Sequence, residues 1–169
     1  MELKNHVIKY APEYSMCTGC KSCELLCAIL REGVSNPSKS AIKFVEGPLK
    51  TMQHEVLVCR HCADHPCYDA CPKKDKAMCI NENGIVYVNK AECIGCGLCM
   101  RKCAFTPSRI SIAVDSETGK KYAVKCDLCR EDPEGPRCIR YCPAHCLGLS
   151  ELSTPDGTMP LSAQQEVKA

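Results

Sequence analysis

Apolar and polar residues alternate in several short segments of the chain, and such alternation is typical of half-buried β-strands. Residues 41–47 (AIKFVEG) and 54–58 (HEVLV) flank a Gly-Pro turn, so we expect them to form a hairpin. Residues 84–90 (GIVYVNK) follow a cluster of Asn and Glu turn residues and predict a single strand. Residues 110–114 (ISIAV) and 121–125 (KYAVK) enclose a polar loop that contains a glycine, which predicts a second hairpin.

Helical signals are few and short. The clearest helix is predicted for residues 22–33 (SCELLCAILREG), which we expect Gly33 to end. After Ser150 the composition shifts to Ser, Thr, Pro, Gln and Glu, so residues 151–169 are expected to form a tail that lies on a partner or is disordered. The pattern as a whole predicts an α+β fold of short hairpins and short helices.

The supply of large apolar side chains is small for a chain of 169 residues. Leu, Ile, Val and Phe together number 33, whereas cysteines number 18. The formal net charge is only +2, so charge repulsion gives no reason to expect disorder. We therefore expect a group bound by the cysteines to replace much of the hydrophobic core.

The sequence favours a reducing compartment. The first residues contain no apolar run typical of a signal peptide and no twin-arginine pair, and no stretch approaches the roughly 18 apolar residues that span a bilayer. A cytoplasmic protein without a membrane span is expected, although a partner with its own export signal could carry the chain across a membrane. The near-neutral charge gives no indication of nucleic-acid binding.

Sixteen of the eighteen cysteines fall into four groups, each of which ends in two cysteines separated by three residues. The groups are Cys17, Cys20, Cys23 and Cys27; Cys59, Cys62, Cys67 and Cys71; Cys93, Cys96, Cys99 and Cys103; and Cys126, Cys129, Cys138 and Cys142. A proline follows the second and fourth groups. Cys79 and Cys146 lie outside the pattern. We expect short helices to carry the fourth cysteine of each group.

This spacing is typical of [4Fe–4S] clusters. A short loop with three closely spaced cysteines surrounds one cluster and binds it through their thiolates. In two-cluster bacterial ferredoxins the fourth cysteine binds the other cluster. Structural zinc instead uses pairs of cysteines separated by longer stretches, and a third cysteine directly after each pair has no role there. Disulfides need an oxidising compartment, for which the sequence carries no signal. Four groups predict four [4Fe–4S] clusters.

Spacing alone leaves the pairing of the groups open. The segment between groups two and three has the order of a ferredoxin repeat, in which a motif end is followed by a strand and the next motif, and this favours pairing two with three and one with four. Pairing one with two and three with four satisfies the same spacing.

The sequence resembles the four-cluster, polyferredoxin-like electron-transfer subunits of molybdenum and tungsten oxidoreductases, such as formate dehydrogenase and dimethyl sulfoxide reductase. The segments CRHCADHPCYDACP and CDLCREDPEGPRCIRYCP carry the resemblance, which extends over residues 17–149. The resemblance implies that groups one and four pair, as do two and three. The four implied ligand sets are Cys17, Cys20, Cys23 and Cys142; Cys126, Cys129, Cys138 and Cys27; Cys59, Cys62, Cys67 and Cys103; and Cys93, Cys96, Cys99 and Cys71.

The chain departs from that family at two positions. His65 precedes Pro66 where a second proline is common, and Ala104 follows Cys103 where proline is usual, but neither change removes a ligand. Without long insertions or a C-terminal membrane helix, the chain is similar to the compact subunits that serve tungsten aldehyde oxidoreductases and benzoyl-CoA reductases.

The resemblance implies a non-catalytic subunit that relays single electrons. Its partners would be a large catalytic oxidoreductase subunit, of the tungsten or molybdenum pterin type, and a ferredoxin or other redox protein. The alternative is a free polyferredoxin that shuttles electrons between enzymes. Residues 1–54 with 111–150 are predicted to form an outer two-cluster module, and residues 55–110 an inner one.

Several other side chains are candidates for minor roles. His61 and His65 are interpreted as structural neighbours of the clusters, and Cys79 and Cys146 as small apolar residues packed beside a cluster. Tyr68 and Tyr141 are expected to cover clusters. A set of basic residues would favour the reduced state of nearby clusters, although each alone is most simply a solvated surface charge: Arg101, Lys102, Lys125, Arg130 and Arg140.

Overall fold

The computed structural model describes residues 6–10, 17–48 and 54–151. Within these residues the chain forms short strands and short helices, which confirms the predicted fold class. In chain order the elements are β1 (His6–Tyr10), α1 (Ser22–Glu32), β2 (Ile42–Val45), β3 (Glu55–Val58), α2 (Pro66–Asp69), β4 (Met78–Ile80), β5 (Val86–Val88), α3 (Leu98–Arg101), β6 (Ser111–Val114), β7 (Lys121–Val124), α4 (Arg137–Arg140) and β8 (Leu147–Glu151). A single 3₁₀ turn lies at Pro37–Lys39.

The strands pair two by two in four antiparallel ribbons. The predicted hairpins β2–β3 and β6–β7 are confirmed, and Gly119 takes a left-handed backbone, with φ of 68°, in the second. The predicted strand β5 pairs with β4, which the apolar pattern did not indicate. A further pairing, also not predicted, joins β1 to β8 and brings the two ends of the described chain together.

Helix α1 has the bounds that the sequence indicated. It ends at Gly33, whose left-handed backbone (φ 68°) lets its N–H donate to the carbonyl of Ile29 at 2.7 Å. The carboxylate of Glu24 in the first turn is buried and accepts a hydrogen bond from the backbone N–H of Phe44 at 3.0 Å. This bond ties α1 to β2, and α1 also packs against α4.

The three four-residue helices differ from expectation, because we expected short helices to carry the fourth cysteine of each group. This holds for α1 and Cys27, but α2, α3 and α4 carry the third cysteines, Cys67, Cys99 and Cys138. In α2 and α3 a residue with a left-handed backbone, His65 or Gly97, turns the chain and starts the helix just before the third cysteine. A helix of one turn then ends before the fourth cysteine is reached.

One contiguous core of buried side chains connects the ribbons, and cysteines make up a large share of it. The predicted division into an outer and an inner module stays a prediction. The predicted tail lies outside the described residues except for Glu151, which belongs to β8. In the described part of the chain, no helix is long and apolar enough to cross a membrane.

Candidate metal centres

The predicted ligand cysteines surround three cavities of similar size. A cavity of about 20 Å³ is lined by Cys59, Cys62, Cys67 and Cys103. A second, also of about 20 Å³, is lined by Cys71, Cys93, Cys96 and Cys99. A third, again of about 20 Å³, is lined by Cys17, Cys20, Cys23 and Cys142, with Cys146 beside them. Each cavity thus joins three cysteines of one group to the fourth cysteine of another.

The remaining four predicted ligands also lie near one another. Burial raises the pKa of the Cys138 thiol, and the charges of Cys129 and Cys27 raise it further. The guanidinium of Arg31 lies in the field of Cys27, Cys126 and Cys129, and it forms an ion pair with Asp127 at 3.0 Å. Cys27, carried by α1, therefore lies close enough to the cysteines of group four to influence their ionisation.

Backbone N–H groups donate to the sulfur atoms of five of these cysteines. Each donor lies 3.3–3.5 Å from the sulfur, within the range for hydrogen bonds to sulfur, and most donors follow the cysteine closely in the chain or come from a packed strand. The pairs are Ala41 to Cys27, His61 to Cys59, Arg109 to Cys103, Ala123 to Cys93, and Leu128 to Cys126. Hydrogen bonds to the sulfur atoms are one of the means by which proteins set the potential of iron–sulfur clusters.

Burial governs the ionisation of the thiols. It raises the pKa of Cys23 and of Cys99 to about 12 and that of Cys67 to about 11. All eighteen cysteines are described, and every one is a free thiol. Thiols with such pKa values hold their protons at neutral pH unless a metal displaces them, because the thiolate is the form that binds metal.

The cavity around Cys59 contains positively charged and unpaired polar groups. Lys125, His61 and Arg109 line it together with the four cysteines. Among the described residues, Nε2 of His61 and both Nε and Nη1 of Arg109 are buried without a hydrogen-bond partner. Burial lowers the pKa of His61 well below its usual value, with the charge of Lys125 as the second cause, so the imidazole is neutral.

Orphaned buried donors are costly, which indicates that this cavity is built for a group that accepts hydrogen bonds and carries negative charge. In the described part of the chain, no three His, Cys, Asp or Glu side chains converge on one point as a single metal ion requires. Four cysteines around a cavity, N–H donors to sulfur and nearby cations fit a polynuclear, sulfide-containing cluster with thiolate ligands.

The two cysteines outside the pattern have different surroundings. Cys146 is buried, with 2% of its surface exposed, and its sulfur lies 3.6 Å from that of Cys142, which agrees with packing beside a cluster site. Cys79 is half-buried on β4, its thiol faces the carbonyls of Asp75 and Lys76, and it lines none of the three cavities.

Other expectations need correction. Lys125 is not a solvated surface charge, because it is only 1% exposed. Tyr141 is 55% exposed and lines none of the three cavities, whereas Tyr68 is half-buried at the surface with its hydroxyl against Asp75.

Arg130 is exposed, as expected, and pairs with Glu131. Arg140 is instead half-buried, pairs with Asp132 and Glu134, and has its Nε buried without a hydrogen-bond partner.

His54 and His65 lie at structural positions. Nδ1 of His65 contacts the carbonyl of Cys62, and His54 is a buried acceptor for the N–H of Gly47 at 3.2 Å. Arg109 lies outside the cysteine motif, six residues after Cys103, so the cysteine spacing did not indicate its place in the cavity. The role of Gly95, which packs against the backbone of β7, was also not indicated by the sequence.

Comparison with known families gives one family for most of the described chain. The model of the 4Fe-4S dicluster domain family matches residues 51–152, which include three of the four cysteine groups.

Three curated relatives are named as an electron transport protein or as subunits of oxidoreductases. Over 128 residues the chain is 36% identical to the polyferredoxin-like subunit of an aliphatic sulfonate oxidoreductase from Pyrococcus furiosus, a match that covers 75% of this chain and 66% of that protein. It is 29% identical over 152 residues to the electron transport protein HydN of Escherichia coli, covering 79% and 82%. It is 28% identical over 167 residues to the thiosulfate reductase electron transfer subunit PhsB of Salmonella typhi, covering 90% and 83%.

Proposed function

Because the chain belongs to the 4Fe-4S dicluster domain family, we propose that its sixteen grouped cysteines hold four [4Fe–4S] clusters and that it transfers electrons without transforming a substrate. The observation that carries the proposal is the arrangement of cysteines from different groups around shared cavities of nearly equal volume.

The proposed ligand sets follow the nested pairing of the groups. We name them by position: inner site A (Cys59, Cys62, Cys67, Cys103), inner site B (Cys71, Cys93, Cys96, Cys99), outer site C (Cys27, Cys126, Cys129, Cys138) and outer site D (Cys17, Cys20, Cys23, Cys142). Cavities support A, B and D, and the mutual electrostatic effects of Cys27, Cys129 and Cys138 support C.

We infer that the sites follow one another in the order B, A, C, D. Cys99 of site B lies in the field of Cys67 of site A. Cys126 of site C feels the charge of Cys59 of site A, and Cys138 of site C feels that of Cys23 of site D. Neighbouring sites in such a row suit the passage of electrons from one end of the molecule to the other.

The bound clusters would each accept and release one electron. The protein's own residues hold the sulfur ligands in place, donate backbone N–H groups to them, and exclude water through the buried cysteines and the packed strands. No acid or base is required, because one-electron transfer between such clusters moves no proton at a protein side chain.

A larger catalytic oxidoreductase is the proposed partner, with a ferredoxin or similar redox protein at the other end of the row. Two of the relatives are named as subunits of oxidoreductase complexes, which supports this assignment. The tungsten or molybdenum pterin type follows from the family resemblance of the motifs.

Anaerobic isolation from the native host with an affinity tag tests the proposal. We expect a large subunit to co-purify with stoichiometric tungsten or molybdenum, and a reductive titration of the chain to consume about four electrons. A chain that takes up four electrons but elutes alone would instead be a free polyferredoxin. A colourless chain that takes up no electrons would contradict both functions.

A further inference from the structure

Lys125 is the largest side chain that the fold buries completely. Only 1% of its surface is exposed, and it follows β7 directly and precedes the proposed ligand Cys126. Burying a cation is costly unless an anion lies close by. Among the described residues, the ion pairs formed by lysines involve Lys73, Lys74 and Lys90, and Lys125 has no carboxylate partner.

The ammonium group is held in a fixed position. Its Nζ donates to the carbonyl of Val86 at 2.7 Å and to the carbonyl of Cys126 at 3.1 Å, and it lies 3.5 Å from Nδ1 of His61. Carbonyl oxygens orient an ammonium group but carry no net charge. The negative charge that balances Lys125 must therefore come from the sulfur side of the cavity, where Cys59 and Cys67 are the thiols whose charges act most strongly on it.

His61 contacts Lys125 and adds a second hydrogen-bond donor to the cavity. An ammonium group only donates hydrogen bonds, so Nδ1 of His61 is the acceptor and the proton of the neutral ring lies on Nε2. This N–H is buried and has no partner among the described residues. Because His61 lines the cavity of site A, the sulfur atoms of a cluster bound there are the acceptors within reach.

Among the described residues, the cations named next at the other three sites are paired or exposed. At site C the guanidinium of Arg31 is paired with Asp127, and at site B the ammonium of Lys73 is paired with Glu92. Lys21 at site D is exposed to solvent, where its charge is screened.

We infer that Lys125 and His61 form a built-in device that raises the reduction potential of the cluster at site A relative to that of the other three. The inference rests on the proposed function. Reduction adds one electron, supplied by the neighbouring site, and one negative charge, while no bond forms or breaks and no proton moves. A fixed positive charge and an N–H donor both stabilise the added negative charge. The cluster at site A would therefore be the one reduced first and reoxidised last.

Replacing Lys125 by methionine removes the charge and keeps the length of the side chain. In the full chain, isolated anaerobically with its clusters, a redox titration followed by electron paramagnetic resonance should show one signal shifted to lower potential. At the wild-type midpoint of that cluster, we expect the ratio of reduced to oxidised cluster to fall at least tenfold, which corresponds to 59 mV for a one-electron couple.

Two variants serve as controls. Lys102→Met removes an exposed lysine that lies beside the ligand Cys103 of the same site, and we expect it to change the ratio less than twofold. Lys125→Arg keeps the charge and should restore most of the wild-type potential. If Lys125→Met fails to retain the site A cluster, His61→Phe supplies the test. Loss of the N–H donor should lower the same midpoint potential, so that the ratio of reduced to oxidised cluster at the wild-type midpoint falls about threefold.

Unchanged midpoint potentials in Lys125→Met and His61→Phe, with iron and sulfide contents equal to wild type, would overturn this inference but not the proposed function. Wild-type protein without acid-labile sulfide would overturn the proposed function, and the inference with it.

Discussion

Two glycines of the third cysteine group share a left-handed backbone but differ in what surrounds them. Gly95 has φ of 64°, and a Cβ there would lie 2.6 Å from the carbonyl oxygen of Lys121 on β7. Gly97 has φ of 74°, and a Cβ there would meet nothing within 4 Å. Close packing against a strand therefore requires glycine at position 95, whereas position 97 requires only the backbone conformation.

Gly95→Ala should destabilise the protein more than Gly97→Ala. Both changes incur the left-handed backbone penalty of roughly 1–2 kcal/mol, and Gly95→Ala adds an overpacking cost of about 1–3 kcal/mol because the β7 backbone must move. Anaerobic thermal melting of the cluster-loaded protein measures the difference. Equal melting temperatures for the two variants would show that the loop does not press on β7.

At the scale of elements, helix α1 connects two proposed sites. Cys23 lines the cavity of site D, whereas Cys27, one helical turn later, lies among the cysteines of site C. One turn of helix advances about 5.4 Å along its axis, so a single rigid element fixes the spacing between two centres.

Cys27→Ser should therefore perturb the same spectroscopic signal as Cys126→Ser, because both changes remove a ligand of site C. Cys20→Ser should perturb a different signal, that of site D. Electron paramagnetic resonance of the reduced protein makes the comparison, with Cys79→Ser as the control that leaves all signals unchanged. If Cys27→Ser altered the signal that Cys62→Ser alters, the nested pairing would be wrong.

The elements that the sequence predicted are those with a local signal. Helix α1 has a glycine at its end, and β6–β7 has alternation on both sides of a turn. β4 has only three residues, too few for a period of two to be recognised, and β1–β8 joins segments from opposite ends of the chain. No local pattern indicates a pairing of that kind.

The features of the proposed sites also divide into those with a local sequence signal and those that depend on distant segments. Cysteine spacing predicted the ligands, because a cluster imposes short, regular gaps on the chain. The burial of Lys125 and the unpaired donors of Arg109 depend on which segments pack around a cavity. Those contacts join residues far apart in sequence, so the sequence alone indicated neither.

At the scale of the whole molecule, cysteines make up about a third of the apolar core. Among the described residues, eight of the 23 buried apolar side chains are cysteines and five are alanines. Three cysteine-lined cavities lie within or beside this core. Such a core lacks the large side chains that could close around empty cavities, so bound clusters would supply much of the folding free energy.

Removal of iron should therefore unfold the chain. Treatment with an iron chelator under reducing conditions is expected to abolish the cooperative thermal transition seen by circular dichroism, and rebuilding with iron and sulfide should restore it. A metal-free chain that kept the same melting transition would show that the protein core is sufficient.

The content of iron and acid-labile sulfide in anaerobically purified protein tests the central claim most directly. Four [4Fe–4S] clusters predict about sixteen iron and about sixteen sulfide per chain. Zinc without sulfide, or about eight of each in fully loaded protein, would contradict the assignment of sixteen cysteines to four clusters.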